Sequence, residues 1–295
     1  MKEVKKFLNY LLSDRGYSEK TVLTYKITLS SFEEFFLHLD ETLTWQTIDA
    51  DVVRQWMTNE AKDGEKARTI GKKLSALRSF YKYLQRIGVI ENSPLARIHN
   101  PKTSASLPTF LRKTEIDSLF DKVVYPDGFK GMLDYTILQT FYHTGIRLSE
   151  LIGLNIADVN MERCELKVTG KRNKQRVVPF GLELKDTLVA YLSLRQTLTD
   201  VADSKAMFLG RKLKRITISQ IRTIVNHYLS LVTMQKKKSP HVLRHTFATA
   251  MLNNGADLEA IKELLGHESI STTEIYTHNT FADLKKEYKL AHPRA

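Results

Sequence analysis

Residues 91–108, ENSPLARIHNPKTSASLP, constrain the fold more than any other stretch of this chain. Three prolines in eighteen residues fix φ and remove backbone donors, so neither a helix nor a central strand runs through them. On both sides of this break the apolar residues keep helical spacing. Val22, Tyr25, Leu29, Phe32, Phe36 and Leu39 recur at intervals of three and four after Ser18, which predicts a long amphipathic helix with Ser18 as its cap. A second series, Ile70, Leu74, Leu77, Tyr81, Leu84 and Ile87, is closed by Gly88. The chain is therefore expected to divide into a helical bundle over 1–92, a linker over 93–108 and a larger domain over 109–295.

The larger domain reads as mainly α with one small β interruption. LDYTILQTFYH (133–143) has the composition of a buried helix, and Ser149 in the following TGIRLSELIGL is placed to cap a further turn. CELKV and RVVPF then flank TGKRNKQ, which reads as a hairpin around a basic turn. Further helices are expected over 240–254, ending at Asn254-Gly255, and over 258–265, capped by Asp257 and stopped by Gly266. A short one is expected after Ser271, where STTE forms a capping box and places Tyr276 near its end.

Composition narrows the partners. Forty-five Lys and Arg against 33 Asp and Glu give a formal net charge of +12, which favours a polyanion such as nucleic acid. The helix around residues 66–86 carries Lys66, Arg68, Lys72, Lys73, Arg78, Lys82 and Arg86 with no acidic residue, opposite its apolar stripe. This is a face suited to tracking phosphates. The single cysteine, Cys164, allows no internal disulfide and fits a reducing, cytoplasmic compartment. No run of ~18 apolar residues suggests a membrane span. The basic runs RKLKR (211–215) and QKKKS (235–239) read equally well as backbone contacts or solvated loops.

SPHVLRHTFATA (239–250) concentrates chemistry at a helix start. Pro240 suits the first helical position and Ser239 can cap it, while His241, Arg244 and His245 fall on one face, roughly opposite Leu243, Phe247, Ala250 and Met251. Two histidines four apart could bind zinc, but the metalloprotease form needs Glu after the first, and Val242 stands there. A solvated polar face and an anion site at the helix N-terminus remain. No GxxxxGK[ST] loop and no acidic cluster spaced for two magnesium ions occurs in the sequence.

Four segments together, TGIRLSEL (144–151), VTGKRNKQRVVPFG (168–181), SPHVLRHTFATAML (239–252) and LLGHESISTTEIYTH (264–278), resemble the tyrosine recombinase (phage integrase) family. Within it the chain is similar to the Xer-type recombinases that resolve chromosome dimers. GYSEKTVLTY and KKLSALRSFYKYL resemble that family's SAM-like N-terminal DNA-binding domain, and the ending HPRA fits as well. The resemblance implies a two-domain C-shaped DNA clamp: an N-terminal helical bundle with a mixed α/β catalytic domain. It implies that Arg147, Lys171, His241, Arg244 and His267 are catalytic and that Tyr276 is the nucleophile, with Glu150 beside the first arginine and His245 in support. Lys174 and Arg176 are left as phosphate contacts. Arg172 replaces the second glycine of the usual GKGNK hairpin, which puts the turn geometry in question and offers a further phosphate contact.

The implied reaction is strand transesterification of the topoisomerase IB type, through a 3′-phosphotyrosyl intermediate and a Holliday junction, with no metal and no cofactor. The implied partners are double-stranded DNA at a specific site, a homo- or hetero-tetramer with a related recombinase, and a DNA translocase at the C-terminal region. The closing NTFADLKKEYKLAHPRA is expected to dock on a neighbouring protomer. Integration of a mobile element and a non-catalytic DNA-binding role are the alternatives. The chemistry explains the residue types. Two guanidiniums fork onto the crowded phosphorus centre, and a phenol with a pKa of about 10 is a detachable nucleophile. The resemblance implies that Lys171 supplies a proton to the leaving oxygen, that His241 accepts the tyrosine proton or binds phosphate, and that His267 donates to the same oxygens.

Overall fold

The computed structural model describes residues 2–103, 109–170, 173–266 and 281–294, and it separates into two compact units, Met1–Ser106 and Leu107–Ala295. The first unit holds α1 (Lys2–Ser13), α2 (Glu19–Leu39), α3 (Ala50–Lys62) and α4 (Ala67–Arg86). The two expected helices are α2 and α4. Ser18 caps α2 by accepting from the Thr21 amide at 3.3 Å, and Asp49 caps α3 through the amides of Asp51 and Val52. Aromatic edges fill the centre, with the Trp45 ring 4.7 Å from Phe80 and the Phe32 ring 5.1 Å from Trp56.

Part of the expected linker belongs to this core. Leu95 and Ile98 are buried among its apolar residues, and Arg78 holds the following turn by donating to the Ile98 carbonyl and the Asn100 side chain, both at 2.7 Å. Prolines break the helical pattern there, and most of the stretch is exposed, but Leu95 and Ile98 anchor it to the core.

The second unit is built around α6 (Phe129–Thr144), buried on all sides. Its threonines can be buried because Thr136 and Thr140 donate to the carbonyls four residues back, at 2.6 and 2.7 Å. Around it lie α5 (Lys113–Asp121), α7 (Leu148–Gly153), α8 (Leu182–Gln196), α9 (Ile218–Val232), α10 (Pro240–Asn253) and α11 (Leu258–Leu265). Strands β1 (Val159–Asn160), β2 (Glu165–Thr169) and β3 (Gln175–Pro179) form an antiparallel sheet in that order, with Thr169 opposite Gln175. The fold is mainly α with a small sheet, as expected.

In the single chain the last helix, α12 (Phe281–Ala291), packs on its own unit. Leu284, Tyr288 and Ala291 are buried against Phe247, Met251 and Leu264. The Tyr288 hydroxyl accepts from the Gly181 amide, and Arg294 forks onto Asp121 and Glu183.

Candidate active site

Three consecutive carbonyls at the C-terminal end of α11 each receive an arginine. Arg176 Nε donates to Leu264 O at 2.9 Å, Arg244 Nη2 to Leu265 O at 2.7 Å and Arg147 Nη2 to Gly266 O at 2.6 Å. A helix C-terminus leaves these oxygens without intrahelical partners and carries a partial negative charge, so it attracts cations. Gly266 ends the helix in the left-handed conformation, φ +63°. The arginines come from three separate elements and converge there.

Arg147 enters from the turn between α6 and α7. Gly145, at φ +57°, ends α6, and a Cβ on it would stand 2.5 Å from the Phe247 ring, so only glycine fits this approach of α10. Arg147 is then the N-cap of α7, with its backbone amide donating to Glu150 Oε2 at 2.7 Å. Glu150, not Ser149, is the capping side chain, because it sits at the third helical position, where a carboxylate reaches back to the free amide. The Arg147 guanidinium also donates to Glu150 Oε1 at 2.9 Å.

Arg244 corrects the face assigned to it. His241 and His245 are exposed on α10, but Arg244 is buried, donating to Gly145 O at 2.6 Å besides Leu265 O. Ser239 occupies the N-cap position without a side-chain capping bond, and Pro240 is at N1. Burial, then the neighbouring charge of Arg147, draws the Arg244 pKa down to about 10, which leaves it cationic at neutral pH. His245 is held below the ordinary histidine range by desolvation and by His241 and Arg244. It stands on the exposed side of the helix rather than behind the site.

Glu150 is 2% exposed. Burial alone would raise its pKa, but hydrogen bonds from Arg176 and Arg147 outweigh that and hold it below the usual carboxylate range. Arg176 reaches it from β3, with Nη1 2.7 Å from Oε1 and Nη2 3.0 Å from Oε2. Arg176 is therefore not the free phosphate contact expected from the sequence. The hairpin also touches the carboxylate, since a Cβ on Gly170 would lie 3.4 Å from Glu150 Oε1. Its turn closes with the Gly170 amide on Lys174 O at 2.7 Å, and among its described residues Asn173 has positive φ, at +60°. Asparagine tolerates that conformation, so the turn has a left-handed residue despite the loss of the second glycine. Lys174 is exposed. Lys171, Arg172, His267 and Tyr276 lie outside the described residues.

The basic runs divide in the same way, into exposed cations and half-buried braces. On α4, Lys66, Arg68, Lys72 and Lys82 are exposed, whereas Lys73 is paired with Glu60 and Glu65 and Arg78 braces residues 98–100. In RKLKR, Arg215 is a brace, bonded to Asp203, Asn155 and the carbonyls of Ile152 and Leu154. The sequence reading missed an open groove lined by Arg222, Asn226, His227 and Ser230 of α9 together with Lys238. TISQ could have announced that helix, since Thr217 and Gln220 form a reciprocal capping box. Among the described residues no three His, Cys, Asp or Glu are gathered as metal ligands, and no helix is long and apolar enough to cross a membrane.

A buried carboxylate holding two of three converging arginines, in a mainly α unit that follows a helical bundle, defines the class of protein. The chain belongs to the phage integrase family: residues 109–283 match the model of that family and residues 4–88 match its N-terminal SAM-like domain. It is an enzyme of the tyrosine recombinase type. Among its relatives, the tyrosine recombinase XerC of Chlorobaculum tepidum is 38% identical over 98% of this chain and 94% of its own. XerC of Listeria innocua is 38% identical over 99% and 97% respectively. A crystal structure of XerH site-specific recombinase bound to a palindromic difH substrate shares the fold, with a TM-score of 0.73 at 23% identity over 90% of this chain and 78% of that one.

Proposed function

We propose that this chain is a site-specific recombinase that exchanges DNA strands through a 3′-phosphotyrosyl ester on Tyr276 and a Holliday junction, resolving chromosome dimers at a dif-like site. The single observation that carries this reading is the pair Arg147 and Arg244, tethered to the successive carbonyls of Gly266 and Leu265 immediately before His267. Each guanidinium has five N–H groups and uses two in the bonds described, so both keep donors for a phosphate. In the reaction these arginines take up the charge that grows on the non-bridging oxygens. Lys171 protonates the leaving 5′-oxygen, while His241 and His267 complete the set around the phosphate and the phenol. Glu150 orients Arg147.

Exposed Arg68, Lys72 and Lys82 of α4 supply phosphate contacts from the N-terminal unit, with Lys66 at its start and Arg172 and Lys174 on the hairpin. These contacts position the duplex without reading its sequence. The working assembly is a tetramer, with itself or with a related recombinase, and a DNA translocase acts on the C-terminal region. The reading is supported by the XerC relatives, which align over nearly the whole chain.

A nicked suicide substrate tests it. Wild type should trap an adduct that survives SDS, and Tyr276→Phe should bind the same DNA and trap none. An adduct formed equally well by Tyr276→Phe would overturn the assignment of the nucleophile. Mapping the attachment points on the organism's own DNA identifies the target. Attachment at the ends of a mobile element in place of one chromosomal site would refute dimer resolution.

A further inference from the structure

Arg176 makes more side-chain bonds than either proposed clamp arginine, yet the reaction described above gives it no part. It forks onto both oxygens of Glu150, at 2.7 and 3.0 Å, and its Nε holds Leu264 O at 2.9 Å. It also lies against Gly266, where a Cβ would come within 3.0 Å of Nη1. Its guanidinium thus ties β3, α7 and the end of α11 at one point.

Charge explains why such a residue is needed. Glu150 is buried and accepts from Arg147 as well. With Arg147 alone beside it, the carboxylate would cancel the charge of a clamp residue and draw its guanidinium towards the protein. Arg176 supplies the second cation. Three guanidiniums and one carboxylate then leave a formal charge of +2. A phosphodiester carries one negative charge, and its pentacoordinate transition state carries two, so this surplus matches the transition state better than the ground state.

We propose that Arg176 is a positioning residue for strand cleavage: by neutralising Glu150 and holding the end of α11, it leaves Arg147 and Arg244 with their charge directed at the phosphate. This rests on the reading of the site as a phosphodiester site. Arg176 itself touches no DNA. It differs in this from Lys174 on the same hairpin, which is exposed.

The test uses the full chain and the nicked suicide DNA, comparing wild type, Arg176→Gln, Glu150→Gln with Arg176→Gln, and Arg176→Lys. Removal of a partner behind the reacting residues typically lowers activity by ~10–100-fold, and Arg176→Gln should slow adduct formation by that much while DNA affinity stays within about threefold. The double variant restores the surplus of +2 and should cleave faster than the single one, although it carries one more substitution. Arg176→Lys, which keeps the charge but not the fork, should fall between wild type and Arg176→Gln.

A merely structural Arg176 makes the double variant no faster than the single, and that result overturns the inference. If Arg176→Gln does not fold, the double variant, which has no buried charge left uncompensated, is compared directly with wild type. A folded double variant slower than wild type by more than about a hundredfold overturns the inference in that case. Failure of wild type itself to form an adduct sinks the reading of the site instead, while equal rates for wild type and Arg176→Gln sink only this one.

Discussion

Gly266 shows how much a single position can hold. Its φ of +63° ends α11, its carbonyl takes Arg147 and its bare Cα leaves room for the Arg176 guanidinium. Alanine there brings about 1–2 kcal/mol of left-handed backbone strain. It also sets a Cβ 3.0 Å from Arg176 Nη1, a group that three hydrogen bonds prevent from moving aside. Gly266→Ala is expected to lower the urea midpoint and to slow adduct formation together. Gly255→Ala is the control, because Gly255 has φ +88° but nothing within 4 Å of the added Cβ. It should lose similar stability and keep the cleavage rate; an unchanged rate in Gly266→Ala as well would show that the end of α11 does not govern the site. The sequence displayed Gly266 as a helix stop and Arg147 with Glu150 as neighbours three apart. It did not display that Arg244 turns inward or that Arg176 pairs with Glu150, because periodicity assigns faces and cannot say which long side chain bends back to reach a carbonyl or a carboxylate in a distant element.

At the scale of elements, α4 illustrates the same division. Its positive run is uniform in sequence, and nothing local tells Lys73 from Lys72. Glu60 and Glu65 lie outside the run, one on α3 and one in the following turn, and they claim Lys73. Exposed Arg68, Lys72 and Lys82, with Ser75 and Ser79 between them, share one side of the helix at about 100° per residue. If that side follows a DNA backbone, each residue releases its own counterion. Arg68→Ala and Lys72→Ala should each reduce the slope of log affinity against log salt by about 0.9, equally for specific and random duplexes. Lys73→Ala should leave the slope unchanged and cost stability, since it leaves the buried Glu60 carboxylate without the Lys73 ammonium. A titration that finds equal slope changes for Lys72→Ala and Lys73→Ala would mean that the ion pairs open on binding. Capping was the more legible signal at this scale: Ser18, Asp49 and Asp257 all cap through their side chains, whereas the Ser149 cap failed because Glu150 was one residue better placed.

At the scale of the whole molecule, the C-terminal tail is secured on its own unit by two neutral imidazoles. His143 of α6 and His292 after α12 stack with centroids 4.8 Å apart, packed against Tyr142, Tyr288 and Phe247. Glu183 comes within 3.8 Å of His143, but it is already held by Arg294 and Gln139, and the contact is no ion pair. Desolvation holds both histidines neutral, with pKa values lowered to about 3. The sign of the pH dependence follows. In the unfolded chain each ring takes up a proton near pH 6.5, and in the folded protein only near pH 3, so the unfolded state binds more protons across that window. Stability is complete above about pH 6.5 and falls as the pH drops towards 3, by up to about 1.4 kcal/mol per pH unit for each ring. Urea denaturation between pH 7 and 5 reads this effect together with that of His245, whose lowered pKa acts in the same direction, whereas carboxylates with lowered pKa values contribute at more acidic pH. His143→Phe removes one titrating ring and, since neither His143 nitrogen has a hydrogen-bond partner among the described residues, breaks no hydrogen bond described there. It should remove roughly half of the part of the decline that the stacked pair contributes; a decline as steep as in wild type would show that the pair is protonated, or the tail released, in the folded protein.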